Sequence, residues 1–461
     1  MDSTLACLAA WMPRQRWYAA KGRTPTLRFV ASWDFPVDPA RPGQGIHIRT
    51  YLVADEGSLP SVMYQVPVVA HATSSVEAAA AHVIGSPEPG TTLIDGPFDP
   101  AYASALLRMA ADGGEGRGSR TLARGVPSPS APPVVVDGAE SAVVTGEQSN
   151  TSIIYRPVEP GQVPVICKVF RQVHAGLNPD IELQTALAAA GSTRVPGAIG
   201  SIEGQWPDPA DPRLSATGSL AFAQEFLPGV EDAWRVALRA AASGDDFAER
   251  AHALGVATAE VHVALSGLFP THETTAADHD ATRSIWRRRL TTAIAEVPQL
   301  AESERAIEAV YGLAAEEPWP ALQRIHGDYH LGQVLHVPDR GWVLLDFEGE
   351  PMRPMAERVR PDLALRDVAG MLRSFDYVAG SIRLDQPDRS RESVREWALT
   401  ARRSFLAGYA EASGADLAAT RHLLDALELD KAVYEAIYES RNRPTWIPIP
   451  LRAISRLIGP G

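Results

Sequence analysis

The pattern of apolar positions changes about halfway along the chain. The first part alternates short apolar runs with Pro and Gly, which is typical of strands joined by turns, and the clearest runs cover residues 27–33, 45–52 and 61–69. From residue 231 to about residue 310, apolar side chains recur at helical spacing in sequence rich in Ala, Arg and Glu. The pattern therefore predicts a β-rich front and a helical back.

The sequence between and after these parts predicts further elements. We expect helices over residues 100–111, from residues 178–180 onward, and over 367–378, 394–411 and 417–438. We expect strands over residues 134–136, 142–144, 151–155, 163–170 and 342–345. Residues 113–133 are rich in Gly, Ser, Arg and Pro and lack apolar periodicity, so they predict a mobile loop or linker.

Composition places the chain among globular proteins and excludes several partners. Its 461 residues, 45% hydrophobic and 21% charged, suffice for two or three domains. A net charge of −13 argues against nucleic acid or an anionic membrane as partner. The two cysteines, Cys7 and Cys167, form neither a zinc motif nor a disulfide framework. Because no run resembles a membrane helix or a signal peptide, we expect a cytoplasmic protein.

Residues 324–335 and 346–349 carry the strongest chemical signal. Asp328, Gln333 five residues later, and Asp346 stand at the spacings used by enzymes that transfer the γ-phosphoryl group of ATP. In that chemistry one carboxylate takes the proton of the attacking hydroxyl, while oxygen ligands hold Mg²⁺. We interpret Asp328 as the catalytic base and Gln333 and Asp346 as Mg²⁺ ligands. Taken singly, each residue also fits an ordinary loop or surface position.

Lys168 lies inside a predicted strand, where a lone Lys is costly unless its ammonium group is paired. Its position fits the strand lysine that holds the α- and β-phosphates of ATP. Glu182, fourteen residues later on the predicted helix, is the expected ion-pair partner, and Glu147 is an alternative. A lysine on an edge strand with its stem on apolar surface is the competing interpretation.

Two other segments are candidates for contact with the nucleotide. The turn at residues 146–150 replaces a glycine-rich phosphate loop and offers polar donors, namely Ser149, Asn150 and Thr151, although an ordinary hairpin turn fits equally well. A change of character after residues 224–229 predicts a hinge near residue 225, whose candidate contacts for adenine are Gln224, Glu225 and Phe226.

The acceptor is expected to contact aromatic, acidic and basic side chains, because a sugar has an apolar face and many hydroxyls. The candidates are His330, Glu350, Tyr434, Tyr438, Arg441 and Trp446. The pattern around the two tyrosines fits equally well a helix packed by its rings with exposed salt bridges. His326 is expected to bond backbone groups and so to shape the loop that carries Asp328.

Several blocks together resemble the maltokinases, which are similar to aminoglycoside phosphotransferases and other eukaryotic-like small-molecule kinases. The blocks cover residues 15–19, 147–152, 177–183, 326–333, 346–351, 365–375 and 434–450. The resemblance implies an α+β fold, bilobal and protein-kinase-like, with an additional β-rich N-terminal cap and a mainly helical C-terminal lobe. Its expected divisions are a cap at 1–93, an N-terminal lobe at 94–222 and a C-terminal lobe at 223–461.

The same resemblance implies a function. It implies ATP- and Mg²⁺-dependent phosphorylation of maltose at the anomeric hydroxyl, giving maltose 1-phosphate for α-glucan synthesis. ATP is expected between the lobes, and trehalose synthase is the implied partner because it supplies maltose. Tyr329 stands where Leu is common in the family, so it is a candidate for altering substrate preference.

Two alternatives stay open at this point. A kinase for glucosamine or an aminoglycoside would need acidic groups around the amine, and Glu350, Glu435 and Glu439 are available for that. A catalytically silent nucleotide-binding partner of a glucan enzyme is the other alternative. Intact Lys168 and Asp328 argue against it.

Overall fold

The computed structural model describes residues 2–36, 46–58, 60–76, 82–144, 149–159, 161–350, 353–386, 388 and 390–459. The chain divides into two compact units. The first comprises Met1–Ala189 with Pro196–Pro228, and the second comprises Ala190–Val195 with Gly229–Gly461. The sequence-based cap and N-terminal lobe therefore fall into the same compact unit.

The first unit is built on one antiparallel sheet. Its strands are β1 (Leu27–Asp34), β2 (His47–Asp55), β3 (Val62–Ala72), β4 (Val83–Glu88), β5 (Thr91–Asp95), β6 (Gly114–Gly118), β7 (Thr121–Pro127), β8 (Glu140–Val143), β9 (Asn150–Arg156), β10 (Val165–Phe170), β11 (Ala198–Pro207) and β12 (Ser215–Glu225). Their order across the sheet is β4-β5-β3-β2-β1-β6-β7-β11-β12-β10-β9-β8. The helices of this unit are α1 (Asp2–Trp11), α2 (Pro100–Asp112) and α3 (Pro179–Ala189).

The hairpin β6–β7 corrects the expectation of a mobile linker at residues 113–133. Its glycines are needed for close backbone approach rather than for mobility: a Cβ on Gly118 would lie 1.8 Å from the Ser32 carbonyl oxygen, and one on Gly125 would lie 1.8 Å from that of Met109. A sequence rich in Gly and Arg hides such strands because it lacks apolar alternation. The strand expected at residues 134–136 is absent, since those described residues have no regular structure.

Helix α2 anchors the core of the first unit. Asp99 caps its N-terminus by accepting a hydrogen bond from the Ala101 amide at 2.8 Å, and Pro100 occupies the first turn. Leu106 and Leu107 are buried in a cluster with apolar side chains of the sheet. Burial of this helix against one face of the sheet follows from its apolar spacing.

The second unit is mainly helical, as expected. Its helices are α4 (Ala233–Ser243), α5 (Ala248–Leu268), α6 (Ala276–Glu296), α7 (Glu304–Ala314), α8 (Met355–Arg358), α9 (Leu365–Asp385), α10 (Arg391–Ser413), α11 (Arg421–Asn442) and α12 (Pro448–Ile458). A small antiparallel sheet contains β13 (Glu231–Asp232), β14 (Val334–Val337) and β15 (Gly341–Leu344). The architecture is α+β. No described helix is long and apolar enough to cross a membrane.

Candidate active site

The loop that carries Asp328 is held by a buried carboxylate from α9. Asp367, in the first turn of that helix, accepts hydrogen bonds from the backbone amides of His326 at 2.8 Å and Gly327 at 2.9 Å. Gly327 has φ +84°, a left-handed conformation that Gly adopts without strain. The His326 ring donates from Nε2 to the Leu345 carbonyl oxygen at 2.8 Å, which matches its expected role in shaping the loop.

Asp367 is part of a buried chain of polar groups. His262 Nε2 donates to the Asp367 carboxylate at 3.1 Å, and the Tyr409 hydroxyl contacts His262 Nδ1 at 3.0 Å. Burial favours the neutral acid, but the hydrogen bonds and positive potential around Asp367 lower its pKa below the usual value. Sequence reasoning did not assign Asp367, which lies forty-one residues from the amide of His326. The signal in the sequence that could have indicated Asp367 is its position as an acidic residue in the first turn of a helix.

Gln333 and Asp346 are brought together as predicted. Gln333 Nε2 lies 3.1 Å from Asp346 Oδ2, and the Leu345 amide donates to the Gln333 backbone carbonyl at 2.9 Å. Asp346 has φ +64°, which is unusual for a residue with a side chain and often marks a functional position. Rotating the Gln333 amide would present its oxygen beside the carboxylate. The pair thus offers the oxygen donors that Mg²⁺ prefers.

A lysine that the sequence did not single out contacts the Asp328 carboxylate. Lys431 Nζ, on α11, lies 3.5 Å from Asp328 Oδ1 and 2.6 Å from Glu350 Oε1. Glu350 also contacts Arg353 at 3.2 Å. Burial would raise the pKa of Glu350, yet the charges of Lys431 and Arg353 lower it to about 2. Burial acts against the charged form of Lys431, but the carboxylates raise its pKa, so the ammonium group persists at neutral pH.

Besides Glu350, two further acceptor candidates lie in this cluster. The Tyr434 ring faces Lys431, whose Nζ is 5.3 Å from the ring centroid. His330 accepts a hydrogen bond from the Gly332 amide at 3.0 Å, and its pKa is lowered mainly by burial, so it is neutral at pH 7. The same ring interacts electrostatically with both Asp328 and Asp346. The proposed base and the proposed metal ligand therefore share one electrostatic environment.

The remaining acceptor candidates have other contacts. Arg441 forms a two-pronged salt bridge with Glu296, Trp446 lies under the Arg443 guanidinium at 4.4 Å, and Tyr438 faces Arg443 at 5.6 Å. Among the described contacts, none joins these three side chains to Asp328. Tyr329 is buried, and its hydroxyl contacts Thr258 on α5 at 2.8 Å, so its side chain packs into the unit instead of facing an acceptor.

In the first unit, Lys168 is paired with an acidic residue of α3. Its Nζ donates to Asp180 Oδ2 at 3.1 Å, and Asp180 is buried and also bonded by Gln184. Glu182, the expected partner, lies on the same helix two residues later. The alternative partner, Glu147, lies outside the described residues. The pair gives the strand lysine the neighbouring negative charge that its position requires.

The described part of the proposed phosphate turn differs from residue to residue. Ser149 is exposed and Asn150 begins β9, whereas the Thr151 side chain is buried. The Thr151 hydroxyl accepts a hydrogen bond from Arg171 Nε at 2.8 Å. Arg171 also pairs with Asp95 at 2.7 Å and stacks on Trp17. Thr151 therefore serves a buried polar network, and Ser149 and Asn150 are the better phosphate candidates.

Two of the proposed hinge residues, Gln224 and Glu225, end β12, and Phe226 directly follows it. The Glu225 amide donates to the Gly197 carbonyl at 2.8 Å, and the Phe226 amide donates to the Pro164 carbonyl at 2.8 Å. Gln224 pairs within the sheet. Because both of these amide donors are used inside the unit, contacts of this segment with adenine would have to use carbonyl oxygens or side chains.

Comparison with known proteins indicates the family of the chain. Residues 143–423 match the family described as "Phosphotransferase enzyme family", and residues 11–99 match the "Maltokinase N-terminal cap domain". The chain is 33% identical over 365 residues to a glucosamine kinase of Streptacidiphilus jiangxiensis, covering 73% of this chain and 79% of that protein. It is 28% identical over 333 residues to a glucosamine kinase of Mycolicibacterium smegmatis, covering 69% and 79%.

Solved structures extend the similarity over the full length. A glucosamine kinase in complex with glucosamine, ADP and inorganic phosphate matches with a TM-score of 0.67 and 25% identity, covering 98% of this chain and 99% of that one. A second crystal form of glucosamine kinase gives a TM-score of 0.68 at the same identity. The large family match contains Lys168, Asp328, Gln333 and Asp346. The chain belongs to the phosphotransferase enzyme family.

Proposed function

We propose that this protein is a sugar kinase that uses ATP and Mg²⁺. The observation that carries the proposal is the arrangement of Asp328, Gln333 and Asp346 within the segment that matches the phosphotransferase family. Asp328 is a carboxylate on a fixed loop, and Gln333 is an amide beside a second carboxylate, Asp346. Phosphoryl transfer depends mostly on positioning and electrostatic stabilisation, and this arrangement supplies both.

Each of these residues has a distinct task in the proposal. Asp328 accepts the proton of the sugar hydroxyl as that oxygen attacks phosphorus. Lys431, 3.5 Å away, keeps positive charge beside the carboxylate and fixes its position. Gln333 and Asp346 would hold Mg²⁺, which when bound neutralises phosphate charge. Lys168, positioned by Asp180, binds phosphate oxygens of the nucleotide.

Glucosamine is the acceptor that the named relatives favour. The relatives with the highest identities given above are glucosamine kinases, and a structure of such an enzyme with glucosamine bound matches almost the whole chain. That alignment spans 98% of the chain, so it includes the segment that matches the maltokinase cap domain. The cap match alone therefore does not select maltose over glucosamine.

Maltose is a second candidate, which the charges of the site favour. An ammonium group on the substrate would seek an uncompensated carboxylate, but the three carboxylates considered for that task are already paired with cations. Glu350 contacts Lys431 and Arg353, Glu435 accepts two hydrogen bonds from Arg373, and Glu439 contacts Arg443. A protonated Lys431 beside Asp328 also repels a cationic substrate and tolerates a neutral one. A trehalose synthase partner is supported only by the sequence resemblance.

A panel of acceptors tests the proposal. Purified protein with ATP and Mg²⁺ is incubated separately with glucosamine, glucose, maltose and no sugar, and the products are followed by ³¹P NMR. A sugar phosphate from glucosamine alone assigns the first acceptor, and an anomeric phosphate from maltose alone assigns the second. Glucose is the matched control for the amine, since it differs from glucosamine only at that group. ADP release without any sugar phosphate would contradict a sugar kinase.

A further inference from the structure

The second unit contains a cavity that is separate from the residues discussed above for phosphoryl transfer. None of those residues lines it. It lies between α9, α10 and α12 and has a volume of about 360 Å³, within the range of small-molecule sites. Its lining combines small and apolar side chains with charged ones. The charged lining residues are Asp376, Arg383, Arg395, Arg452 and Arg456.

The charges of this lining are mostly positive. Four lining residues are arginines and one is a carboxylate, Asp376. That carboxylate is already contacted by three guanidinium groups, from Arg373 at 2.6 Å, Arg456 at 3.2 Å and Arg402 at 3.4 Å. Within the described lining, no carboxylate is therefore left to balance Arg383 and Arg452.

Arg395 is the least enclosed of these arginines. It contacts Glu392 of its own helix at 3.7 Å, and both side chains are largely exposed. Exposed pairs of this kind contribute little and leave the guanidinium group free to reorient. Arg395 is consequently a secondary contact.

The environments of Arg383 and Arg452 indicate that positive charge is concentrated at this cavity. Arg383 Nη2 donates to the Arg391 carbonyl at 3.0 Å, but its Nε is buried and has no hydrogen-bond partner among the described residues. A buried donor without a partner is costly, and a ligand oxygen would remove that cost. Burial and the nearby charges of Arg383 and Arg391 lower the pKa of Arg452. Like charges held together in this way favour a bound anion.

We propose that this cavity binds a small organic anion, whose phosphate or carboxylate oxygens are held by Arg383 and Arg452. The apolar part of the ligand would lie against Leu399, Ile449 and Ala453, which line the same cavity. Arginine is suited to this task because its planar fork binds such oxygens in pairs.

Calorimetric titration tests the site with three probes: inorganic phosphate, phenyl phosphate and benzoate. Phenyl phosphate should bind more tightly than inorganic phosphate, because the ring adds burial of apolar surface. Benzoate distinguishes the two head groups. If benzoate binds about as tightly as phenyl phosphate, the cavity is a carboxylate site. If phenyl phosphate binds and benzoate does not, the cavity is a phosphate site. Replacing Arg452 by Gln, or Arg383 by Gln, should weaken phenyl phosphate binding about tenfold each, as expected for loss of one charge-assisted contact.

Two controls separate this cavity from other anion sites. Arg403→Gln removes the same charge from the exposed face of α10 and should leave binding unchanged. Lys168→Ala removes the lysine proposed to bind nucleotide phosphates and should also leave it unchanged. Circular dichroism and thermal unfolding verify that each variant is folded. Binding that survives Arg383→Gln and Arg452→Gln, or disappears in Lys168→Ala, would overturn the proposal, as would no binding of any probe at millimolar concentration.

Discussion

Replacement of Lys431 by Met tests the charge arrangement around Asp328. At an effective dielectric constant of about 20, the direct attraction is about 5 kcal/mol for charges 3.5 Å apart and about 6 kcal/mol at 2.6 Å, before desolvation is subtracted. These are the distances from the Lys431 ammonium group to Asp328 and Glu350. Breaking a mostly buried pair costs about 3–5 kcal/mol. Because Arg353 remains beside Glu350, we expect a loss of about 2–3 kcal/mol in unfolding free energy at pH 7.

The pH dependence of this loss follows from the pKa of Glu350. Its folded pKa of about 2 lies below the ordinary 4.5, so its contribution to stability is fully present above pH 4.5 and disappears as the pH falls through 2. The full contribution is about 3 kcal/mol, and less than half of it remains at pH 3. Without Lys431 the pKa of Glu350 rises, so the difference between variant and wild type should shrink as the pH falls from 4.5 to 2.

Urea unfolding at pH 7 and pH 3 measures both effects. Lys431→Arg keeps the charge and is the matched control, which should lose less than the Met variant. A double variant with Glu350→Gln should lose less than the sum of the two single variants, because the two side chains interact directly. A Lys431→Met protein as stable as wild type at both pH values would show that the ammonium group of Lys431 does not stabilise the fold through Asp328 and Glu350.

Three further predictions concern the residues proposed to bind ATP and Mg²⁺ and the carboxylate that holds the Asp328 loop. Lys168→Met should raise the KM for ATP about tenfold while far-UV circular dichroism stays unchanged, and an unchanged KM would remove Lys168 from phosphate binding. Asp367→Asn should lower the free energy of unfolding by about 3 kcal/mol and also lower kcat, because the amide cannot accept from both loop amides and His262; a fully active variant would show that the loop is held by other contacts. Gln333→Leu should raise the Mg²⁺ concentration for half-maximal rate at saturating ATP, whereas an unchanged Mg²⁺ titration would exclude Gln333 as a ligand.

The sequence was most informative where the chemistry is local. Gln333 and Asp346 lie 13 residues apart, and their spacing in the sequence predicted the contact that the structure shows between their side chains. The long helices of the second unit were equally predictable, because apolar periodicity survives in sequence rich in Ala and Arg, whereas α8 and α12 were not expected. The hairpin β6–β7 was missed because its glycines serve backbone contact and leave no side-chain pattern.

Partners distant in sequence were inaccessible for a different reason. Lys431 is 103 residues from Asp328, and the contact of Asp180 with Lys168 was not predicted because spacing on a helix does not fix which carboxylates face a neighbouring strand. Such pairs are set by how helices pack, and a single sequence does not encode that packing in a readable pattern. The identity of the sugar acceptor could not be predicted for the same reason, since it depends on which carboxylates are already paired with cations.

Turnover by the Asp328→Asn variant tests whether Asp328 accepts the proton of the sugar hydroxyl. Wild type and variant are incubated with Mg²⁺-ATP and whichever sugar the acceptor panel identifies, and the sugar phosphate is followed by ³¹P NMR while ATP binding is measured by calorimetry. We expect kcat to fall about 10²–10⁴-fold with ATP affinity retained, because the variant lacks the proposed proton acceptor and keeps the nucleotide contacts. Sugar phosphate formed at the wild-type rate by Asp328→Asn would contradict the role of Asp328 as proton acceptor.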